Sequence, residues 1–367
     1  MDVILKKKRD SNIEILRILA MCLIVYHHLV LNMDLIAGNT ISKTIIFGVI
    51  GEFGGKIGVA IYVLITGYFS VGKKFSSKKF FKLWFQIFCY SVGFMIFFRI
   101  TGIEKLNKVD TIKTFFPLAY NQYWFITAYL YLLLFSPFIN KLLNNLTQIN
   151  HKKLLIILTI FLVIMPTIFY SDGMIGSTAT PIGIILFVYI YCIGAYIKLY
   201  GLKMFENKKL QNIIFILLGY IAMFLITFLQ KKLETKNIFW SNLSAYYREL
   251  NSLIIIVPSI ALFYIFKEWK LPCNNIINYI ASISFPVYLI HENNFMRYRM
   301  WHEIFNMELA QRLYGKFITL LIIAIILLYI SSAIIEFFRI NLIEKILLKS
   351  PRLNKMFKKI DSFMNLE

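Results

Sequence analysis

Charged side chains are scarce in this sequence. Only 16% of its 367 residues are Asp, Glu, Lys or Arg, whereas 59% are hydrophobic. Soluble globular domains have about a quarter charged residues, so no long region of this chain has the polarity of a soluble domain. The composition argues against a soluble enzyme and predicts a protein that crosses a membrane several times.

Cysteine and acidic residues are also few. The four cysteines, at positions 22, 89, 192 and 273, have neither the spacing of a metal site nor that of a secreted disulfide framework, so we expect packing roles and no metal. The 19 acidic residues stand against 40 basic ones, for a net charge of +21. In so apolar a chain this excess indicates contact with anionic membrane lipids rather than with nucleic acid.

Long apolar runs fill the sequence, and ten of them are close to the ~17–25 residues that a bilayer requires, the ninth being the shortest. They lie at residues 12–31, 45–69, 80–98, 120–140, 154–170, 180–198, 210–229, 250–266, 276–291 and 317–338. The sequence therefore predicts an all-α membrane protein without a separate soluble domain. With both termini in the cytoplasm, the inner segments hold roughly twice as many lysines and arginines as the outer ones. We expect a transmembrane domain over residues 1–340 and a basic amphipathic tail over 341–367 on the inner leaflet.

The first apolar run contains an arginine and two histidines, in RILAMCLIVYHH. At 100° per residue, the eleven steps from Arg17 to His28 place both side chains on one helix face, ~16 Å apart along the axis. His27 points about 80° away, and Glu14 lies close enough to pair with Arg17. Snorkelling to the inner interface is the alternative explanation for Arg17. Because ionisable groups within a span are costly, we predict a functional site on this face and a structural role for His27.

Further polar and aromatic residues fall at the predicted depth of His28 on three other spans. On the ninth span, Ser284, Tyr288 and His291 are spaced by four and three residues and form one stripe. The residues predicted to share this layer are Glu52, Tyr123, Trp124, Tyr288, His291 and Glu292. The alternatives are an interfacial belt for the aromatic residues of the fourth span and an ion pair of Glu52 with Lys56.

The same segments carry a family resemblance. The arginine and histidine of the first span, their lead-in SNIEILRILAM, and then GVAIYVLITGYF, NQYWFITAYLYLLLFSPFI and SFPVYLIHEN follow one another in order. Together they resemble the acyltransferase 3 family of polytopic membrane acyltransferases, over nearly the whole chain. Arg17 and His28 match the family's first-span motif. The sequence departs from the family pattern at Ala60, where an acidic residue is common, and at Lys78 and Lys79, where arginines are common.

This resemblance implies an enzyme that transfers an acyl group, commonly acetyl from acetyl-CoA, to a hydroxyl of a cell-surface or lipid-linked glycan. The abundance of Ile, Lys and Asn indicates a bacterial genome and hence a bacterial plasma membrane. A basic loop after the second span is expected to hold the phosphates of acyl-CoA, although a positive-inside loop explains it equally well. Its lysines are Lys73, Lys74, Lys78, Lys79 and Lys82.

Residue chemistry and resemblance together predict a mechanism. The pantetheine arm of the donor passes Arg17, and His28 acts as a general base or briefly carries the acyl group. Glu52 or Glu292 orients the imidazole. The candidates for stabilising the oxyanion are Tyr288, His291 and Trp124. The candidates for contacting the acceptor are Tyr123, Trp124, Tyr288 and Glu292.

Two other classes of function stay open. One is a transporter or flippase for a lipid-linked sugar, which also needs a polar cavity, although the two halves of the sequence show no repeat. The other is a non-catalytic subunit of a polysaccharide assembly complex. The sequence fixes neither the acceptor nor the oligomeric state.

Overall fold

A computed structural model describes residues 10–33, 35, 43–103, 107–168, 181–233, 247, 249–307 and 314–365. Within these ranges the chain forms helices and their connections, without a β-strand. Two segments used in the topology prediction lie outside the described residues, namely the KKKR run near the start and SDGMIGSTAT at 171–180.

The described residues include twelve α-helices of eight residues or more. They are α1 (Ser11–Asn32), α2 (Lys43–Ser70), α3 (Ser77–Thr101), α4 (Lys108–Phe115), α5 (Trp124–Asn145), α6 (Gln148–Thr159), α7 (Pro181–Tyr200), α8 (Lys209–Leu233), α9 (Leu253–Glu268), α10 (Asn275–His291), α11 (Tyr314–Phe338) and α12 (Pro351–Met364). Two of them, α6 and α11, continue through π-helical turns at Ile160–Ile164 and Arg339–Glu344.

Seven helices are long and apolar enough to cross a bilayer: α1, α2, α3, α5, α7, α8 and α11 with its continuation. The protein is therefore a multi-pass membrane protein. A helix also lies at each of the three other predicted spans, but α9 and α10 have only 16 and 17 residues. At 1.5 Å per residue they are ~24–26 Å long, shorter than the ~30 Å hydrocarbon layer. The count of ten spans and the orientation of the termini stay predictions.

The centre of the bundle is built on α1, α2 and α10. Helix α1 packs against α2 and α10, and α2 also packs against α7 and α9. The more peripheral α3, α8 and α11 expose large apolar side chains, among them Phe97, Ile100, Leu217 and Ile326. Apolar side chains outside and buried polar groups inside are the arrangement that a hydrocarbon surrounding requires.

Two glycines let α2 and α7 approach closely. A Cβ atom added to Gly67 would collide with the carbonyl oxygen of Tyr191, and one added to Gly194 would collide with that of Leu64. Small residues allow such backbone contact between membrane helices, because no side chain separates the two axes. This close crossing holds α7 against α2, which in turn packs against α1.

The expected amphipathic tail contains α12, which lies against the beginning of α3. The backbone N–H of Ser77 donates to Asp361 Oδ1 at 2.6 Å, and the Ser77 hydroxyl donates to the Phe357 carbonyl at 3.0 Å. Asn365 hydrogen-bonds both backbone groups of Phe75. The apolar residues of α12 line a hollow together with Phe80, Phe81 and Trp84 of α3. The tail helix is thus attached to the α2–α3 connection.

The topology can be tested with reporter fusions. With both termini in the cytoplasm, a green fluorescent protein at the C-terminus should fluoresce, and alkaline phosphatase inserted after Gly72 should be inactive. Phosphatase inserted within SDGMIGSTAT should be active. An active phosphatase fusion at the C-terminus would contradict the ten-span topology.

Candidate active site

Helices α1 and α10 bring two histidines together in the interior. His28 Nδ1 lies 2.8 Å from His291 Nε2, and both side chains are buried. His291 Nδ1 lies 2.7 Å from the carbonyl oxygen of Val287, one turn earlier on α10. A carbonyl oxygen only accepts, so Nδ1 of a neutral His291 carries the hydrogen and its Nε2 accepts. His28 Nδ1 is then the donor, and His28 Nε2 keeps a free lone pair.

A carboxylate lies beside this pair at the end of α10. Glu292 Oε1 is 3.5 Å from His28 Nδ1, and Glu292 Oε2 is 3.8 Å from Arg297 Nη1. Glu292 therefore lies between the histidine pair and Arg297. Arg297 was not predicted from the sequence, where its one signal is its place five residues after Glu292.

Tyr288 forms an aromatic wall of the site. Its ring centroid lies 5.9 Å from that of His28 and 5.6 Å from that of His291. The hydroxyl is buried and has no side-chain partner within the described part of the chain. A phenol in this position is a hydrogen-bond donor available to a bound molecule.

Tyr123 connects the beginning of α5 to the end of α10. Its hydroxyl donates to the carbonyl of Leu289 at 3.3 Å and accepts from Asn293 Nδ2 at 2.8 Å. All three residues are buried. Asn293 was missed in the sequence, although it closes the SFPVYLIHEN segment, because an asparagine after a helix is usually explained by the turn alone.

The inner end of the polar face carries Arg17. Its Nη1 donates to the two carboxylate oxygens of Glu14 at 3.0 and 3.2 Å, which confirms the predicted pair. The Arg17 side chain is 31% exposed, whereas that of Glu14 is only 7% exposed. Because α1 runs unbroken from Ser11 to Asn32, Arg17 and His28 lie ~16 Å apart along one face.

Hydroxyl groups occupy the space between these two ends. The Tyr62 hydroxyl donates to the Arg17 carbonyl at 3.0 Å. The hydroxyls of Ser284 and Tyr329 lie 3.0 Å apart, and Ser284 is ~10 Å before His291 on α10. Neither Tyr62 nor Tyr329 was predicted, because their helices have no polar periodicity that marks an inward face.

His27 lies on a different side of α1 from the histidine pair. It packs against Gly55 of α2, where an added Cβ would collide with the His27 side chain. Its environment fits the predicted structural role. The neighbouring histidines therefore differ in surroundings, as the helical period predicts.

Two other predicted site residues, Glu52 and Trp124, lie on α2 and at the beginning of α5. Glu52 is buried on α2, and Lys56 one turn later pairs with Glu249 at 3.2 Å. Trp124 is the first residue of α5 and packs against Phe125. Of the two carboxylates considered in the sequence, Glu292 is the one beside His28.

The lysines of the α2–α3 connection are on the surface. Lys73 and Lys74 are exposed before α3, and Lys78 and Lys79 are exposed in its first turn. Lys82 pairs with Glu344 at 2.9 Å. Their role in donor binding stays a prediction.

One cluster in the described residues has the composition of a metal site. The ligand atoms of His28, His291 and Glu292 lie within 4.8 Å of one another. Two nitrogen ligands of a tetrahedral zinc ion are about 3.3 Å apart, whereas the histidine nitrogens are 2.8 Å apart. This distance fits a shared hydrogen better than a shared cation.

The fold and this site define a class: a polytopic membrane protein with a buried acid–base group between its central helices. The model of one family, described as an acyltransferase domain, matches residues 10–337. The chain belongs to this family, acyltransferase 3, as its motifs predicted. No curated protein and no solved structure matches the chain.

The hydrogen bonds of Tyr123 predict that two tyrosine-to-phenylalanine variants differ in stability. Tyr123→Phe leaves the buried amide of Asn293 without its acceptor, which costs ~1–3 kcal/mol. We expect a lower melting temperature for purified Tyr123→Phe than for Tyr120→Phe, because Tyr120 is exposed in the same segment. Thermal unfolding in detergent measures both. Equal melting temperatures would show that the Tyr123 hydrogen bonds contribute little.

Proposed function

We propose that this protein moves an acyl group, acetyl being the expected one, from cytoplasmic acyl-CoA to a hydroxyl of a cell-surface or lipid-linked glycan. Membership of the acyltransferase 3 family supports the class of reaction. The observation that carries the proposal is the hydrogen-bond order Val287–His291–His28, which leaves His28 Nε2 free. A buried imidazole with a free lone pair is suited to removing a proton from a hydroxyl.

The proposed reaction has two steps. The acceptor hydroxyl oxygen attacks the thioester carbonyl carbon while His28 Nε2 takes the hydroxyl proton. The tetrahedral intermediate then loses its carbon–sulfur bond, and His28 returns the proton to the departing thiolate, which gives an ester and free CoA. A route in which Nε2 first takes the acyl group uses the same lone pair.

The surroundings of His28 support both steps. Once Nε2 is protonated, the ring is stabilised by the hydrogen bond to His291 and by Glu292 at 3.5 Å. Both nitrogens of His291 are already engaged, so the Tyr288 hydroxyl is the candidate to donate to the oxyanion of the intermediate. A donor already fixed in a dry site stabilises such a charge without reorganisation.

Arg17 marks the donor's side of the proposed route. Its side chain is partly exposed at the inner end of α1, while His28 is buried ~16 Å further along the same face. A pantetheine arm is an extended chain with amide and hydroxyl groups. The hydroxyls of Tyr62, Ser284 and Tyr329 offer it hydrogen-bond partners between the two ends.

The neighbouring histidines give the main test. His28→Ala should abolish transfer of labelled acetyl from acetyl-CoA to surface glycan in membrane vesicles, because general-base catalysis contributes about 10²- to 10⁴-fold. His27→Ala should keep a substantial fraction, and both variants should accumulate normally in the membrane. A dead His27 variant beside an active His28 variant would overturn the proposal. A flippase needs no acyl-CoA, so its transport activity should not depend on acyl-CoA in either variant.

The acceptor on His291 gives a second test. His291→Phe removes the group that receives the His28 Nδ1 hydrogen, whereas His291→Gln keeps an oxygen that can accept it. We expect the Gln variant to retain more acetyl transfer than the Phe variant, with the KM for acetyl-CoA similar in both. Equal loss in the two variants would mean that the hydrogen bond does not orient His28.

A further inference from the structure

Two adjoining hollows open where α1 begins and α9 ends. Their volumes are about 390 and 440 Å³. Trp269 and Lys270, in the connection between α9 and α10, line both hollows. We call the pair of hollows the Trp269 cleft. In the predicted topology the cleft faces the cytoplasm.

Trp269 lines both hollows and is 48% exposed. Its ring centroid lies 5.8 Å from that of Phe266 in an edge-to-face arrangement. The indole is therefore supported on one side by the end of α9. An exposed aromatic face between two cavities is a surface on which a planar base can stack.

Basic side chains line the same cleft. Lys267 and Lys270 line the first hollow, and Lys209 and Lys270 line the second. Lys267 lies over the Tyr264 ring and 3.9 Å from Glu206. No ion pair is recorded for Lys209 or Lys270 within the described residues, so both are available to an anion.

Two carboxylates also face the cleft. Asp10 lines the first hollow and Glu268 lines the second. Glu268 Oε1 already accepts a hydrogen bond from the Asn207 backbone at 2.8 Å. Glu206 offsets Lys267, and Glu268 is already engaged, so Lys209 and Lys270 are the cleft cations open to the phosphates of a ligand.

The first hollow lies beside the beginning of α1, on the helix that carries the proposed site. Ile13 of α1 lines it, and Arg17 follows one turn later on the same face, ~6 Å deeper. Asn12 fixes the beginning of α1 to the end of α9 by donating to the Phe266 carbonyl at 2.8 Å. The cleft, Arg17 and His28 thus lie in order along α1.

We propose that the Trp269 cleft binds the nucleotide end of acyl-CoA. The adenine ring stacks on Trp269, the phosphates contact Lys270 and its neighbouring lysines, and the pantetheine arm runs past Ile13 to the Arg17 face. This assignment rests on the proposed function. It places the phosphates on the α9–α10 connection rather than on the lysines of the α2–α3 connection.

Binding of CoA to the full chain in nanodiscs of zwitterionic lipid tests the assignment. Stacking of a base on an aromatic ring is worth ~1–3 kcal/mol, so Trp269→Ala should weaken CoA binding roughly 5- to 150-fold. Trp269→Phe should keep most of the affinity. Lys270→Gln should weaken binding and reduce its dependence on salt. Lys78→Gln with Lys79→Gln tests the competing assignment. The matched control is Lys152→Gln with Lys153→Gln, a pair of exposed lysines whose loss should leave CoA binding as in the unaltered protein.

A donor without a nucleotide separates the two proposals. With S-acetylpantetheine, which lacks adenine and the phosphates, Trp269→Ala should transfer acetyl as fast as the unaltered protein, which also shows that the variant is folded. With acetyl-CoA its KM should rise while kcat is unchanged.

The contrary results are distinct. Equal CoA affinity in Trp269→Ala and the unaltered protein, or a loss only in the Lys78 and Lys79 variant, would overturn the cleft assignment and leave the proposed function standing. An unaltered protein that binds no CoA and transfers acetyl from neither donor would overturn the proposed function itself.

Discussion

The hydrogen bond between His28 and His291 is the interaction on which the interior of this protein depends. It joins α1 to α10, two helices separated by most of the chain, at a depth where both rings are buried. An unpaired buried N–H costs ~1–3 kcal/mol, so each ring must place its hydrogen on an acceptor. Val287 and His291 supply those acceptors in sequence. One lone pair remains on His28, and it is the position where a reacting proton can be received.

The few charged side chains inside the bundle are placed next to partners of opposite charge. Buried or half-buried ions occur in pairs, such as Arg17 with Glu14, Lys56 with Glu249, and Arg339 with Glu336 and Glu344. An isolated ion in hydrocarbon is costly, whereas a paired one can be held inside a bundle. Glu292 differs from these, because its nearest partners are an imidazole and an arginine 3.8 Å away. Its carboxyl group therefore lies beside His28 rather than in a close ion pair.

The sequence alone predicted those features of the site that depend on a single helix. The face shared by Arg17 and His28, the Glu14–Arg17 pair and the separate surroundings of His27 all follow from the period of α1. The family, too, was recognisable from short motifs in order. The sequence alone did not predict contacts between segments that are distant along the chain. It placed His291 and Glu292 at the depth of His28, but no periodicity could tell which carboxylate would contact the imidazole.

The residues missed in the sequence have a common reason. Asn293 and Arg297 lie in a connection after α10, where polar residues are ordinary, and Tyr62 lies on a helix that is apolar on nearly every side. Their significance comes only from a partner on another element. The status of α9 and α10 as spans is open for the same reason. Both are short for a bilayer, and both pack against other helices of the bundle.

The crossing of α2 and α7 at Gly67 and Gly194 bears on how the two sides of the membrane communicate. Many transporters expose a central site alternately by rocking one group of helices against another. Here the two backbones are in direct contact, with no layer of side chains that could repack as the helices slide. Helix α2, which also packs against α1, is thereby locked to α7. This contact opposes a rocking motion of α2 against α7. Under the proposed function, the flexible pantetheine arm of the donor, rather than a group of helices, would cover the distance to His28.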